Sequence, residues 1–229
     1  MHDAKEHWED VWTRKKSNEV SWYQQYPKIS IDLILLTNTS KDAKIIDVGG
    51  GDSNLVDKLL DLDFKNITVL DISAKALERS KKRLGQKATA INWIDCDIRE
   101  FDSEKIYDVW HDRALLHFLT DEQDMQKYVE MIRKHVNDKG YVIISSFSTR
   151  GPMMCSGLDT RQHSEESMKK LFSNGFEHIK SFEEEHVTPH GISQIFTWNV
   201  FRKKLDNCIN FIIDYFLYST LEIQVMTFN

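Results

Sequence analysis

Short apolar runs alternate with longer amphipathic stretches along residues 44–146. Each run combines β-branched or aromatic side chains over five or six positions, which is typical of buried strands. The runs read KIIDV, NITVLD, AINWID, YDVWHD and YVIISS. Between them, apolar residues recur at helical spacing, as in Leu55, Val56, Leu59 and Leu60. This alternation predicts right-handed crossovers and a parallel sheet with helices on both faces.

Capping residues mark the ends of three predicted helices. Ser53 and Ser73 are placed to cap the first two, and Gly85 is placed to end the second. The third helix follows the fourth strand and starts with a capping box at Thr120. Its apolar stripe runs on towards Gly140, where we expect the helix to end.

The regular alternation of strand and helix patterns ends towards the carboxyl terminus. A short helix begins at Ser164, and two strand patterns follow, EHIKSFEEEHV and SQIFTWNVFR, with only TPHG between them. Two strands joined by a short turn form an antiparallel pair. The predicted fold class is therefore α/β, with a mostly parallel seven-stranded sheet, helices on both faces and a C-terminal antiparallel hairpin.

The two ends of the chain differ from the alternating region, residues 41–204. Apolar residues at helical spacing up to Trp12, and Pro27 at the start of PKISIDLILL, predict two helices within residues 1–40. Residues 205–229 are apolar but contain Asp214 and Glu222, which makes them a poor membrane span. We expect an appended helix or strand that packs on the body; an oligomer contact and an aggregation-prone tail are the alternatives.

The net charge and the cysteine content limit which classes of partner and which compartment are expected. The net charge of −6 makes a broad phosphate-binding surface unexpected, so neither a nucleic-acid nor a membrane partner is predicted. The 3 cysteines are far apart and form neither a disulfide framework nor a zinc site, so no metal is predicted. The start, MHDAKEHWEDVW, has no apolar secretory core. These features together predict a reducing, cytoplasmic location.

Three consecutive glycines, Gly49–Gly51, follow the first strand. Ligands of open parallel sheets bind beyond the carboxyl ends of the strands, where the strand order reverses, and we place this loop there. The glycines allow a sharp turn and a close approach to the backbone. Asp71 ends the second strand and can take both hydroxyls of a ribose. Asp97 and the apolar residue after it can bracket an adenine.

Two ligand classes share these features. A dinucleotide loop needs a third glycine for close helix packing, where this chain has Asn54. A pyrophosphate would also meet the negative charges of Asp47 and Asp52, whereas acids suit a ligand that carries an ammonium and a sulfonium. The loop therefore favours an S-adenosyl ligand.

The segments IIDVGGGDSNLVDKLL and ITVLDIS resemble the first and second motifs of the Rossmann-like (class I) S-adenosylmethionine-dependent methyltransferases. DCDI and YDVWHDRALLHFL resemble the third and fourth, and the terminal hairpin resembles that superfamily's antiparallel edge. The resemblance covers about residues 8–204. It implies S-adenosylmethionine as cofactor, S-adenosylhomocysteine as its product, and a methyltransferase domain over residues 41–204.

The resemblance also implies site residues. The methionine part would lie against the glycine loop, the ribose on the acid that ends the second strand, and the adenine against the third strand. The opening HWEDVW…EVSWYQQY resembles a lid found in a subset of these enzymes, which makes residues 1–40 a helical lid, although its first tryptophans also fit a packed helix stripe. The expected cofactor-binding residues are Trp12, Trp22, Asp47, Gly49, Gly50, Gly51, Ser53, Asp71, Ile72, Asp97, Ile98 and His111.

His117 is the candidate catalytic residue. It leaves the fourth strand where an acceptor should approach, and its ordinary pKa lies close to working pH, so it can serve as a base if the acceptor must lose a proton. A histidine packed on a helix is the alternative. The long loop after the fifth strand can shape the acceptor pocket through Met153, Met154, Leu158 and Arg161.

Three hypotheses remain for the acceptor. A small molecule is favoured because the chain has no large extra substrate domain. A protein-lysine methyltransferase is the alternative, because some eukaryotic members carry an opening similar to EVSWY. Those members typically have Asp where this chain has His117, which counts against that hypothesis. The third hypothesis is a non-catalytic binder of the S-adenosyl ligand, whose acceptor pocket is filled by its own side chains.

Overall fold

Parallel strands and a C-terminal hairpin form one seven-stranded sheet in the computed structural model, which describes residues 4–205. The prediction for residues 205–229 therefore lies almost wholly outside the described residues. The strands are β1 Lys44–Val48, β2 Asn66–Asp71, β3 Ile91–Asp95, β4 Tyr107–Arg113, β5 Val136–Phe147, β6 Met154–Cys155, β7 Leu158–Asp159, β8 Phe176–Val187 and β9 Ser193–Lys203. The helices are α1 Ala4–Arg14, α2 Lys28–Leu36, α3 Leu55–Asp61, α4 Ala74–Leu84, α5 Glu122–His135 and α6 Glu165–Leu171.

The strand order in the large sheet is β3-β2-β1-β4-β5-β9-β8. The first five strands are parallel, and β9 runs antiparallel between β5 and β8. The predicted fold class is confirmed. Strand order reverses between β1 and β4, which places the loop after β1 at the switch point of the sheet.

The central strands are apolar on both faces because helices cover both sides. Neighbouring residues such as Ile45 and Ile46 are fully buried in different clusters. One cluster packs α5 and α6 against one face, and the other packs α2, α3 and α4 against the opposite face. Near-continuous apolar runs are typical of parallel strands buried in this way.

Two predicted helix caps are wrong. The capping residue of α5 is Asp121 rather than Thr120. Its carboxylate accepts hydrogen bonds from the backbone N–H groups of Gln123 and Asp124, at 2.7 and 3.3 Å. A charged acceptor at the helix start is stronger than a hydroxyl. At α3 the capping position is Asn54, whose side chain instead donates to the Gln24 carbonyl at 2.9 Å. Ser53 lies one residue earlier and accepts from the Leu55 N–H at 3.1 Å.

The end of α5 also differs from the prediction. The helix ends at His135, five residues before Gly140, and Val136 already pairs with Tyr107 in the sheet. The register between β4 and β5 then shifts before Val109. An apolar residue at the helix–strand junction satisfies both periodicities, so the pattern could not locate the boundary.

The long loop after β5 contains the small antiparallel pair β6 and β7. It folds over the carboxyl edge of the main sheet, where the Arg161 N–H donates to the carbonyl of His117 at 2.8 Å. Among residues 4–205, no helix is both long and apolar enough to cross a membrane.

Candidate cofactor and acceptor site

Two adjoining cavities open beyond the carboxyl ends of β1, β2 and β4. The larger has a volume of about 410 Å³ and the smaller about 50 Å³. Four residues line both: Trp12, Trp22, Gly49 and Arg113. All the predicted cofactor-binding residues, and His117, lie on these walls. Asp71, Ile72, Asp97, Ile98 and His117 line the larger cavity, and Asp47, Gly50, Gly51, Ser53 and His111 line the smaller.

The glycine loop is crowded by the protein's own carboxylates. Gly49 and Gly51 adopt φ values of 68° and 41°, which residues with a side chain rarely adopt. A Cβ on Gly50 would lie 2.6 Å from an Asp47 carboxylate oxygen, and one on Gly51 would lie 2.8 Å from an oxygen of Asp71. The absence of side chains therefore makes room for these two acids as well as for a ligand.

A buried chain of hydrogen bonds fixes Asp47. Its Oδ1 lies 2.7 Å from His111 Nδ1, and His111 Nε2 lies 2.9 Å from the Ser30 hydroxyl on α2. A carboxylate only accepts, so Nδ1 carries a proton and donates to Asp47, while Nε2 is hydrogen-bonded to the Ser30 hydroxyl. The side chain of His111 thus orients an acid beneath the glycine loop and has no free ring nitrogen of its own.

Asp71 is a buried carboxylate at the end of β2. The Ser73 N–H donates to its Oδ1 at 2.8 Å, and its other oxygen accepts no hydrogen bond from the described residues. Burial raises the pKa of Asp71 to about 7, against the lowering effect of the Ser73 bond, and the charge of Asp47 adds to the rise. A pair of hydroxyl donors would satisfy this carboxylate in its ionised form.

Asp97 lies beyond β3. Burial pushes its pKa upward, but hydrogen bonds from the Arg99 side chain and backbone outweigh burial and hold the pKa below its ordinary value. Asp97 is therefore an ionised acceptor on the cavity wall, next to the buried side chain of Ile98. This combination suits an amino group beside an apolar ring face.

Asp52 has a different environment from the one expected. Its carboxylate is buried and forms an ion pair with Arg83 of α4, which also bonds Asp57 at 2.9 Å. Its charge is thus balanced within the protein. Only Asp47 remains as the acid that the loop offers to a cationic ligand.

Aromatic rings from the N-terminal segment cover the cavities. Trp8 and Trp12 of α1 meet Trp22 edge to face, at ring-centroid distances of 5.7 and 6.0 Å, and Trp8 also contacts Phe118 at 5.1 Å. Arg79 of α4 lies over the Trp12 ring at 5.3 Å. Trp12 therefore both packs in the helix stripe and lines the cavity.

His117 lines the part of the larger cavity that also includes Phe147, which we call the acceptor end. Its ring stacks on that of Phe147, with the ring centroids 4.2 Å apart and an interplanar angle of 5°. Burial lowers the pKa of His117 to about 3, and the nearby charges of His163 and Arg113 lower it further. The Phe147 backbone N–H donates to Nδ1 at 3.4 Å, so the proton of the neutral ring belongs on Nε2. Nε2 is buried and has no partner among the described residues.

Sequence reasoning missed two residues of the same segment. Asp112 is fully buried and accepts hydrogen bonds from the Tyr128 hydroxyl at 2.7 Å and from the Leu115 N–H at 2.8 Å. Burial raises the pKa of Asp112 to about 6. Asp112 thereby shapes the turn that carries His117. Arg113 lines both cavities, and only the juxtaposition of distant elements reveals its position.

The loop after β5 contributes less than predicted. Leu158 lines the larger cavity, together with Cys155 and Asp159. Met153 and Met154 are instead exposed, and the side chain of Arg161 pairs with Glu122 at 2.9 Å. Which of these residues face the cavity is set by how the β6–β7 turn folds against the rest of the domain, which the sequence of a loop does not reveal.

The family model of a methyltransferase domain matches residues 39–205. The match covers more than half of the chain, and the chain belongs to this family. Residues 39–205 thus form an S-adenosylmethionine-dependent methyltransferase domain.

Individual relatives are distant. A ubiquinone biosynthesis O-methyltransferase of Rickettsia conorii is 26% identical over 113 residues, which are 49% of this chain and 38% of that protein. N-terminal Xaa-Pro-Lys N-methyltransferase 1-A of Xenopus laevis is 24% identical over 165 residues, 71% of this chain and 73% of that protein. The solved structure of the N-methyltransferase NodS from Bradyrhizobium japonicum WM9 with S-adenosyl-L-homocysteine has a TM-score of 0.66 at 17% identity, over 88% of this chain and 99% of that one.

The site of this chain fits the cofactor. Asp71 has an oxygen that accepts no hydrogen bond from the described residues, the glycine loop has no side chains, and an apolar wall continues from Ile72 to Ile98. When bound, S-adenosylmethionine supplies a methyl group on a sulfonium.

Proposed function

We propose that this domain methylates a small molecule that enters the larger cavity beside the cofactor. The continuity of that cavity supports this proposal. The same cavity is lined by Asp71 and Asp97 and by Phe118, Phe147 and Phe196. This open space argues against a binder whose acceptor pocket is filled.

The proposed mechanism rests on alignment. Asp71 would accept the ribose hydroxyls, Asp97 and Ile98 would hold the adenine, and Asp47 would meet the methionine ammonium. Rings of Trp12 and Trp22 would cover the reacting groups and exclude water. Direct displacement needs an aligned acceptor more than it needs a base, because the cofactor carries the reactivity.

The position of His117 suits hydrogen bonding better than general-base catalysis. A histidine with a pKa of about 3 is neutral at physiological pH but takes a proton only weakly. Its free Nε2–H suits donation to the acceptor. Replacing His117 with Gln, which keeps a donor, is expected to retain more turnover than replacing it with Ala.

The test is transfer of label from methyl-labelled S-adenosylmethionine into a cell extract. Label in the small-molecule fraction, lost with Asp71→Ala and retained with the surface control Asp61→Ala, is the expected result. Label in the protein fraction would instead support protein N-methylation, the activity in the name of the Xenopus relative. Binding of S-adenosylhomocysteine without any transfer would support a non-catalytic role.

A further inference from the structure

Arg113 is a buried cation whose hydrogen-bonding capacity is largely unused. Its Nη1 donates to the Trp22 carbonyl at 2.9 Å. Its Nε and Nη2 are buried and have no hydrogen-bond partner among residues 4–205. Burial lowers the pKa of Arg113 to about 10, so the group remains charged at neutral pH. Buried N–H donors without partners cost free energy unless a ligand satisfies them.

His117 adds a second free donor in the same region. Both groups lie near the Phe196 ring, whose centroid is 5.7 Å from the Arg113 guanidinium carbon and 6.4 Å from the His117 ring centroid. Both residues line the larger cavity. The wall at the acceptor end of that cavity therefore contains one positive charge and buried N–H donors without a partner in the described part of the chain, and neither side chain has a free hydrogen-bond acceptor atom.

Within residues 4–205, the carboxylates near Arg113 form no hydrogen bond with its guanidinium. Glu184 and Asp47 are near enough to favour the charged form of Arg113. Asp47 is bonded to His111, and Glu184 accepts from the Trp198 indole at 2.5 Å. Neither carboxylate accepts a hydrogen bond from the Arg113 guanidinium. Arg99, the other cation on the wall of the larger cavity among the described residues, is paired with Asp97.

We propose that the acceptor enters as an anion, a carboxylate or ionised hydroxyl on a flat aromatic ring, whose oxygen binds Arg113, with His117 as a further N–H donor on the same cavity wall. This inference rests on the proposed function. The aromatic walls formed by Trp22, Phe147 and Phe196 suit the ring faces, and a guanidinium is suited to planar, charge-assisted hydrogen bonds with such oxygens. A substrate ammonium would meet the like charge of Arg113.

An anionic acceptor also explains how transfer proceeds without a strong base. A lone pair on the acceptor oxygen forms the new bond to the methyl carbon, and the carbon–sulfur bond breaks with its electron pair on sulfur. The acceptor loses its negative charge, the sulfonium loses its positive charge, and no proton moves. The chain then needs only to hold the oxygen in line with the methyl group.

The first test is binding. We would saturate the protein with S-adenosylhomocysteine and titrate benzoate, benzamide and benzylamine by calorimetry. Benzoate should bind at least about tenfold more tightly than benzamide, because benzamide lacks the charge for a charge-assisted bond with Arg113. Benzylamine should bind most weakly. Arg113→Gln should remove the preference for benzoate, and Arg113→Lys should keep part of it. Arg150→Gln, which removes an exposed cation paired with Glu183, is the matched control.

Two binding results would overturn the inference. The first is that benzamide or benzylamine binds as tightly as benzoate. The other is an Arg113→Gln protein that loses affinity for S-adenosylhomocysteine about tenfold but keeps the benzoate preference, which would assign Arg113 to the cofactor's own carboxylate. Binding of S-adenosylhomocysteine to the wild-type protein tests the cofactor site separately.

The second test uses the natural acceptor. A small-molecule extract is separated on an anion exchanger at pH 7, and each fraction is supplied with methyl-labelled cofactor. Label should enter compounds from the retained, anionic fraction. Label confined to the unretained fraction would refute the anionic acceptor but leave small-molecule methylation standing. No label in any fraction, together with label only in protein in the whole-extract assay, would refute both.

Discussion

The affinity for S-adenosylhomocysteine should increase about tenfold between pH 6 and pH 8. Asp71 has a pKa of about 7 in the free protein because it is buried. About nine-tenths of it is then protonated at pH 6 and about one-tenth at pH 8. If the ribose hydroxyls bind the ionised carboxylate, as proposed, they pull its pKa in the complex below this range. Binding at pH 6 must therefore release a proton, which costs about 1.4 kcal/mol relative to pH 8.

Calorimetry at several pH values checks this directly. In buffers of different ionisation enthalpy, the observed heat at pH 7 should reveal the release of about half a proton per ligand. His117 and His163, with pKa values of about 3 and about 4, do not titrate in this window. Asp71→Asn should bind weakly at every pH, and Asp61→Asn should behave as wild type. A flat affinity from pH 6 to pH 8, or tighter binding at pH 6, would refute the role of Asp71.

Two further predictions concern stability without ligand. Gly50→Ala places a Cβ 2.6 Å from an Asp47 oxygen and should cost about 1–3 kcal/mol of unfolding free energy in denaturant titrations; an unchanged midpoint would mean that only a ligand needs this space. Tyr128→Phe removes the hydroxyl that donates to Asp112 at 2.7 Å, which should lower the free energy of unfolding by about 1–3 kcal/mol. The control Tyr141→Phe, at a half-buried position, should lower it little. Equal effects of the two substitutions would contradict the assigned bond.

Much of the fold and half of the site chemistry could be predicted from local sequence. Strand and helix periodicities located the strands of the large sheet because those patterns depend only on neighbours along the chain. The glycines after β1 and the acid at the end of β2 indicated an S-adenosyl ligand, because the carboxyl ends of adjacent parallel strands meet at one edge. The boundary at Val136 was missed because an apolar residue there suits both a helix and a strand.

Tertiary structure decided the partners of the charged groups. Asp52 looked like a free acid beside the glycines, but α4 brings Arg83 to it from 31 residues away. The sequence did not single out Arg113 at the end of β4, yet Trp22 and Phe196 contact its guanidinium where the two cavities meet. Whether a charge is balanced depends on side chains that are distant in sequence and close in space. The sequence by itself therefore determined the fold class and cofactor, and the packed structure decided which charged groups are paired within the protein.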